Sequence, residues 1–412
     1  MAEAFYFIRP NKMLENFLIS LYNIGIMDKN KEMKEKNAKA PVEQSKSSNT
    51  AKPKKKKKKL ALWKKLTIIA SSIVLVICIA FGSFILYFRL NAKDFYQASE
   101  KAFEIPGLSS GFVPQGLEFN DMDGDFLVSG YMKDGSASRL YVVQKNSQEL
   151  KKCVSLLTDE NTPYTGHFGG VAKFEDFVYV PHEQSLLVYS YKEIVKPENT
   201  DPIPCLGKIS LKYSNTDYLK PAFVSVYANT LIVGEFYDGN EHTTLKKHHI
   251  NTPAGNENHA IALEFNLNAK YKNGIDTRPT KAYSIPDNVQ GLCIYDNNET
   301  VYLSTSYGCF EFSHVLKHAK PATPIDTEQY SVFLGTPVPV YALDSSTLQK
   351  DYKLPPMAEG IVMFDKELYV VNEWASNKYF FGKFVGGKWC YKTDLSSMNG
   401  DLPPVEELES VN

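Results

Sequence analysis

The sequence predicts an all-β fold: a β-propeller of five four-stranded blades, with six remaining open, closed by an N-terminal strand and preceded by one transmembrane helix. Three observations carry this reading. A short strand phrase recurs five times after residue 113. A second phrase, which ends two of the repeats, also opens the domain. Ahead of both, 23 consecutive residues carry no charge.

The uncharged stretch is Leu66–Phe88. At ~1.5 Å per residue it reaches ~34 Å, enough for a hydrocarbon core of ~30 Å. A buried helix of this length would carry a polar stripe, and this one has only scattered Thr, Ser and Gly. Lys54–Lys59, Lys64 and Lys65 precede it, and only Arg89 and Lys93 follow closely. The excess of lysine on one side predicts a cytoplasmic N-terminus and an extracytoplasmic C-terminal domain, in a single-pass protein of the plasma membrane. The apolar run exceeds the ~7–15 residues of a cleaved signal and no small-x-small site follows, which predicts an uncleaved signal-anchor. Beside a membrane helix, the lysine run reads as a topology signal that also attracts anionic lipid.

The expected organisation is a basic, mostly disordered tail over 1–65, the helix over 66–88, a linker over 89–100, the propeller over 101–400 and a tail over 401–412. Residues 28–60 are rich in Lys, Glu, Asn and Ser with almost no aromatic residue, a composition that cannot build a core. Phe17–Ile26 is too short to span a bilayer. It is either an amphipathic helix on the inner leaflet or part of a start-site artefact, with Met1 and Met27 both open as the true start.

Net charge divides at the same place. Residues 1–93 hold 19 basic and 6 acidic side chains, and the rest hold 27 and 41. An acidic folded part argues against a nucleic-acid-binding domain. Of the six cysteines, Cys78 lies in the membrane helix; Cys153, Cys205, Cys293, Cys309 and Cys390 lie beyond it. Five thiols cannot all pair and no CxxC is present, so they read as small buried apolar residues. Asn298-Glu-Thr is a glycosylation sequon, but it falls on an expected hairpin turn in a composition that reads as bacterial.

The repeated first strand is PQGLEF at Pro114, GGVAKF at Gly169, AFVSVY at Ala222, QGLCIY at Gln290 and EGIVMF at Glu359. A tight polar turn follows each, then a second strand: FLVSGY, FVYVPH, LIVGEF, VYLSTS and LYVVNE, beginning at Phe126, Phe177, Leu231, Val301 and Leu368. Such turns are hairpin signals. Third strands are expected from Arg139, Leu186, Ala260, Pro339 and Lys378. Lys281-Ala-Tyr-Ser-Ile-Pro and Lys350-Asp-Tyr-Lys-Leu-Pro precede later first strands, and Lys101-Ala-Phe-Glu-Ile-Pro opens the domain. That opening copy predicts ring closure, with the N-terminal strand completing the last blade. Spacings of 53–69 residues exceed a repeat of the ~40–45 residue type, which predicts long loops. Gly308–Lys320 reads as a helical insertion or as part of a hidden sixth blade. A β-sandwich or an irregular all-β domain is the competing architecture.

In such a ring the starts of first strands and the ends of second strands cluster at one mouth of the central channel. The residues expected there are Gln115, His167, Gly169, Ala222, Asn288, Gln290 and Glu359, with Tyr131, His182, Glu183, Glu235, Tyr307, Asn372, Glu373 and Trp374. Carboxylates, amides and aromatics in one place suit a small polar ligand. Polar residues at strand ends also serve as ordinary caps. Asp121-Met-Asp123-Gly-Asp125 looks like a calcium loop but lacks the later Glu and reads as a hairpin turn. His242, His248, His249 and His259 read as a solvated loop. No GxSxG, P-loop or HExxH motif is present.

The pattern resembles the gluconolactonase, strictosidine synthase and phytase-like esterase propellers, where an acid or amide followed by Gly opens several blades. Gln115-Gly116, Gln290-Gly291 and Glu359-Gly360 carry the resemblance, which runs diffusely over residues 101–400. In the metal-dependent lactonases these positions hold calcium through Glu, Asn and Asp. This chain offers one carboxylate, two glutamines, a glycine and an alanine, so no catalytic calcium and no cofactor is expected.

The leading functional expectation is a membrane-anchored extracytoplasmic propeller that binds a small polar ligand or peptide at this mouth through Gln115, His167, His182, Glu183, Asn288, Gln290, Glu359, Asn372 and Trp374. A lactonase, esterase or glycosidase-type hydrolase is the second, with Glu359, Glu373 and Glu235 as candidate acid–base residues. A structural module that docks an envelope protein is the third.

Overall fold

A computed structural model describes residues 55–198, 201–297, 299–325 and 332–401. The expectations for the N-terminal tail before residue 55, for the tail after 401 and for the sequon at Asn298 lie outside the described residues. The chain divides into a unit ending at Leu75 and a unit from Val76 onward, which carries the propeller.

The apolar segment is a helix, Lys55–Asn91. Over Leu62–Asn91 it is long and apolar enough for a single-pass anchor. Its last turns have a different task from the rest. Phe88 is buried against Met357, Trp374 and Val385, with Phe84 and Phe312 packed alongside. The stretch read as a linker is also held by packing. Lys93–Ala98 forms a short helix with Phe95 buried, and the first strand starts at Ser99.

Five blade sheets then follow among the described residues, four of four strands and the third with a fifth strand at its edge. Their inner strands are Phe112–Asn120, Ala172–Phe174, Phe223–Tyr227, Val289–Tyr295 and Ala358–Phe364. Each packs against the next and the fifth against the first, making a five-bladed β-propeller. The second strands are Asp125–Met132, Phe177–His182, Thr230–Gly234, Thr300–Thr305 and Glu367–Asn372. These read as near-continuous apolar runs because blades on both sides cover them. Phe126, Leu127 and Val128 are all buried, as are Val178, Tyr179 and Val180. Each such side chain contributes roughly 1.5–3 kcal/mol through burial.

The core lies between blades rather than at the centre. Leu127 and Leu140 of blade one meet Val178 and Leu187 of blade two. Phe103 and Tyr369 of blade five meet Phe126 of blade one. Further clusters fill the remaining three interfaces.

Ring closure is as the opening phrase predicts. Ser99–Glu104 pairs antiparallel with Trp389–Thr393, from Ser99 opposite Thr393 to Glu104 opposite Trp389. The N-terminal strand is thus the outer strand of blade five.

Two expected third strands are corrected. In blade four the third strand is Ser313–Ala319, between Thr300–Thr305 and Leu348–Leu354. The stretch read as a helical insertion is therefore a blade strand, and the fourth repeat forms one blade among the described residues. Its pattern was hidden by His318, a buried residue whose ring pairs with the Thr347 hydroxyl. The Pro339 phrase instead gives Val340–Ala342, which adds in parallel to the outer edge of blade three. In blade five the third strand is Trp389–Thr393, and the Lys378 phrase ends in a 3-10 turn, Phe381–Phe384. Its aromatic run serves packing against the helix, with Phe81 and Phe384 rings 4.9 Å apart.

Candidate functional site

Three inner strands begin with a break in register: between Pro114 and Gly116, between Val289 and Gly291, and between Ala358 and Ile361. These are the Gln-Gly, Gln-Gly and Glu-Gly steps. A bulge re-aims a side chain that regular pleating would point elsewhere. The glycines serve close approach. A Cβ on Gly116 would lie 2.7 Å from the Gly170 Cα, and one on Gly360 would lie 2.4 Å from the Leu117 nitrogen. Neighbouring strands thus touch backbone to backbone, and the channel narrows to a cavity of ≈ 10 Å³, room for about one water.

Above this waist, at the strand-start mouth, Gln115, Glu359 and Glu373 are all buried. The Gln115 side chain donates to Glu373 Oε2 at 3.0 Å. Lys378 donates to the Tyr131 hydroxyl at 2.6 Å, and the Tyr131 ring stacks on His167 with centroids 4.5 Å apart. Burial raises the Glu359 pKa well above the carboxylate range, the Glu373 charge adds to the rise, and Lys378 opposes it. Burial lifts Glu373 to about 7 against the pull of Lys378, the Tyr379 hydroxyl and the Gln115 amide. The Tyr131 and Tyr379 hydroxyls are pushed up by burial and by the same carboxylates. His167 is lowered, by desolvation first and then by Lys378 and His242. Two buried carboxyls that resist ionising together can give a proton to a bound group, or grip a hydroxyl or an ammonium.

The remaining candidates are dispersed. Gln290 lines the waist. Asn288 sits at a positive φ of 62° beside it. His182 is half-buried near the Tyr164 ring, and Glu183 is exposed at the following turn. Glu235, read as a partner for Glu359, is engaged elsewhere: its Oε2 lies 2.8 Å from His248 Nδ1 and both residues are buried in blade three. Trp374, read as a ligand contact, is core, packed on Phe88 with ring centroids 4.8 Å apart. Asn372 Oδ1, Trp374 Nε1 and Ser376 Oγ are buried without a hydrogen-bond partner among the described residues. Unpaired polar atoms of this kind are rare in folded proteins.

Lys378 and Tyr379 are the residues of this cluster that the repeat pattern missed, because their phrase was read as a strand. The polar step Ser376-Asn377 before them was the available signal for a loop. Among the described residues no group of three or more His, Cys, Asp and Glu side chains is placed to hold a metal ion.

No protein-family model matches the chain, and no curated protein matches it. Among solved structures it is similar to the Dos1 propeller at 9% identity, with 64% of this chain and 55% of that one covered and a TM-score of 0.28. It is similar to Kuenenia stuttgartiensis hydrazine synthase at 11% identity, covering 62% and 73%, TM-score 0.28. It is also similar to Kluyveromyces lactis Hsv2 at 9% identity, covering 64% and 72%, TM-score 0.27. The chain spans 55% of the Dos1 propeller chain. Likenesses this slight carry no argument about activity.

Proposed function

We propose that this protein is a single-pass plasma-membrane protein with a cytoplasmic N-terminus, whose extracytoplasmic propeller binds a small polar ligand at the strand-start mouth. The observation that carries the reading is the burial at one mouth of Gln115 and Glu359, at bulged strand starts, with Glu373, at a second-strand end, which accepts from Gln115. Burying two carboxyls costs stability that hydrophobic residues would not. A hydroxyl-rich or cationic ligand would offset that cost, because it supplies donors to both. The unpaired Asn372 and Ser376 atoms in the adjoining segment support the same reading.

The membrane placement has its own support. Phe310, Phe380, Phe381 and Phe384 stay exposed around the helix, with Phe84 and Phe381 ring centroids 5.6 Å apart. Leu66–Ala80, the part of the span before the first of the rim contacts, at Phe81, covers ~22 Å of helix, which lies within a hydrocarbon core of ~30 Å. Rings of this kind are favoured near the bilayer interface.

The test is calorimetric titration of the full chain in detergent micelles against a panel of monosaccharides, polyols and amines, repeated with Glu359→Gln. Binding that the variant abolishes while its melting transition persists supports the site; binding unchanged in the variant refutes it. A second reading, acid–base hydrolysis, is favoured by two carboxyls, Glu359 and Glu373, buried at one mouth, where burial raises both. Two carboxyls held in one buried site suit the two roles of acid and base. Turnover of lactones, aryl esters or aryl glycosides, lost in Glu373→Gln, distinguishes it.

A further inference from the structure

The channel reopens on the far side of the waist. There the five inner strands diverge into a cavity of ≈ 430 Å³, lined by residues from every blade. This lies within the ~300–1,000 Å³ of small-molecule sites. Each blade contributes one aromatic residue to the lining, at or near the end of its inner strand: Phe119, Phe174, Tyr227, Tyr295 and Phe364. All five are partly exposed rather than sealed in the core.

One carboxyl stands behind this ring. Glu118 is buried, and its Oε1 accepts from the Phe119 N–H at 2.9 Å. Burial raises it to about 8, opposed by backbone donors from Phe119 and Lys173 and by the Lys173 charge, with Asp121 adding to the rise. The buried Cys293 thiol shares the lining. The charged residues of the wall are Glu118, Asp121 and Glu175 against Lys173, with Lys145 over two of its rings, a set that is net acidic once Glu118 ionises. The Lys173 ammonium lies 4.8 Å from the Tyr191 ring centroid, and Tyr191 is not part of the wall. The rings of this mouth already hold a cation: the Lys145 ammonium lies 4.0 Å from the Phe364 centroid and 5.4 Å from Phe119. Aromatic faces over a buried acid attract organic cations, because the ring quadrupole and the carboxylate act together where water is scarce.

We propose that this funnel, on the opposite side of the waist from the Glu359 cluster, is a binding site for a small organic cation with an apolar body, its ammonium set between Glu118 and the aromatic ring of the mouth.

The probe is choline, compared with its uncharged isostere 3,3-dimethylbutan-1-ol, titrated into the full chain in detergent micelles. Choline should bind roughly tenfold or more tighter than the alcohol, which cannot use the carboxylate or the ring faces. Its affinity should rise as pH rises through about 8, where Glu118 ionises, and this rise should vanish in Glu118→Gln. Met363→Trp places bulk in the funnel and leaves the strand-start cluster untouched, so it should abolish choline binding while retaining a cooperative melt. Equal binding of the alcohol, a pH-independent affinity, or choline binding that survives Met363→Trp would each overturn the proposal. So would the absence of binding at millimolar choline. Loss of the Glu359 site leaves every one of these outcomes readable, since none of them depends on that residue.

Discussion

The side chain of Gln115 donates to Glu373 at 3.0 Å, tying the first inner strand to the end of the second strand in the last blade. One hydrogen bond thus spans the seam where the ring closes, inside the buried acidic cluster. Gln115→Leu keeps the volume and removes the donor. It should cost about 1–3 kcal/mol, the usual penalty for an unsatisfied buried acceptor. The loss should be larger at pH 8 than at pH 5, because the ionised carboxylate needs the donor more. Thermal melts at the two pH values check this, and a pH-independent loss would show the bond to be ordinary packing.

The raised carboxyls predict how stability varies with pH. Glu373 has an ordinary value of 4.5 and is held at about 7 in the fold. Between these values the unfolded chain has released a proton that the folded chain keeps. Stability therefore falls as pH rises through that window and levels off above it. Each pKa unit corresponds to about 1.4 kcal/mol, so the fall due to this residue is on the order of 3 kcal/mol. Glu359→Gln removes the neighbouring acid and should raise the melting temperature above pH 7 while flattening the profile. Glu367→Gln, on a hairpin beside Lys392, should stay within about 0.5 kcal/mol of the parent at every pH.

Ring closure by Ser99–Glu104 makes the opening strand essential. Phe103 is buried and lies 5.1 Å from Phe126 of blade one, ring centroid to ring centroid. Phe103→Ala should cost about 3–5 kcal/mol through lost burial and the cavity left behind. Deleting residues 98–107 should expose the edge of Trp389–Thr393 and drive aggregation. A deletion variant that melts with the parent would show that blade five does not need its outer strand.

Topology is checked on intact cells with a membrane-impermeant amine reagent. Lysines after Lys93 should be labelled and Lys54–Lys59 spared. The reverse pattern would place the propeller in the cytoplasm.

The parts of this fold that were legible in the sequence are those in which local pattern and global position agree. The Gln-Gly and Glu-Gly steps stood out because bulge and close approach both demand that pairing at one place in a blade. The closing strand was legible because Lys101–Pro106 copies the outer-strand phrases of Lys281 and Lys350. The third strand of blade four was not, since its buried His318 looks polar until Thr347 is seen to pair with it. Lys378 and Tyr379 were hidden for the opposite reason: an aromatic-rich segment looked like a strand when its rings serve the helix. The far funnel left no separate trace, because its lining comes from the same phrases that build the inner strands.

The strand that completes the ring is also the first one reached from the apolar helix. Tension on that helix would therefore arrive at the Ser99–Thr393 end of blade five. It would meet a clamp first: the Tyr96 hydroxyl bound to the Val385 carbonyl at 2.9 Å, Arg89 lying 4.1 Å from the Tyr96 ring centroid, and Phe88 and Phe95 seated in their pockets. The latch and the leash are one piece of chain. A pull that the clamp resists leaves the ring intact, and a pull that breaks it acts directly on the strand holding blade five shut.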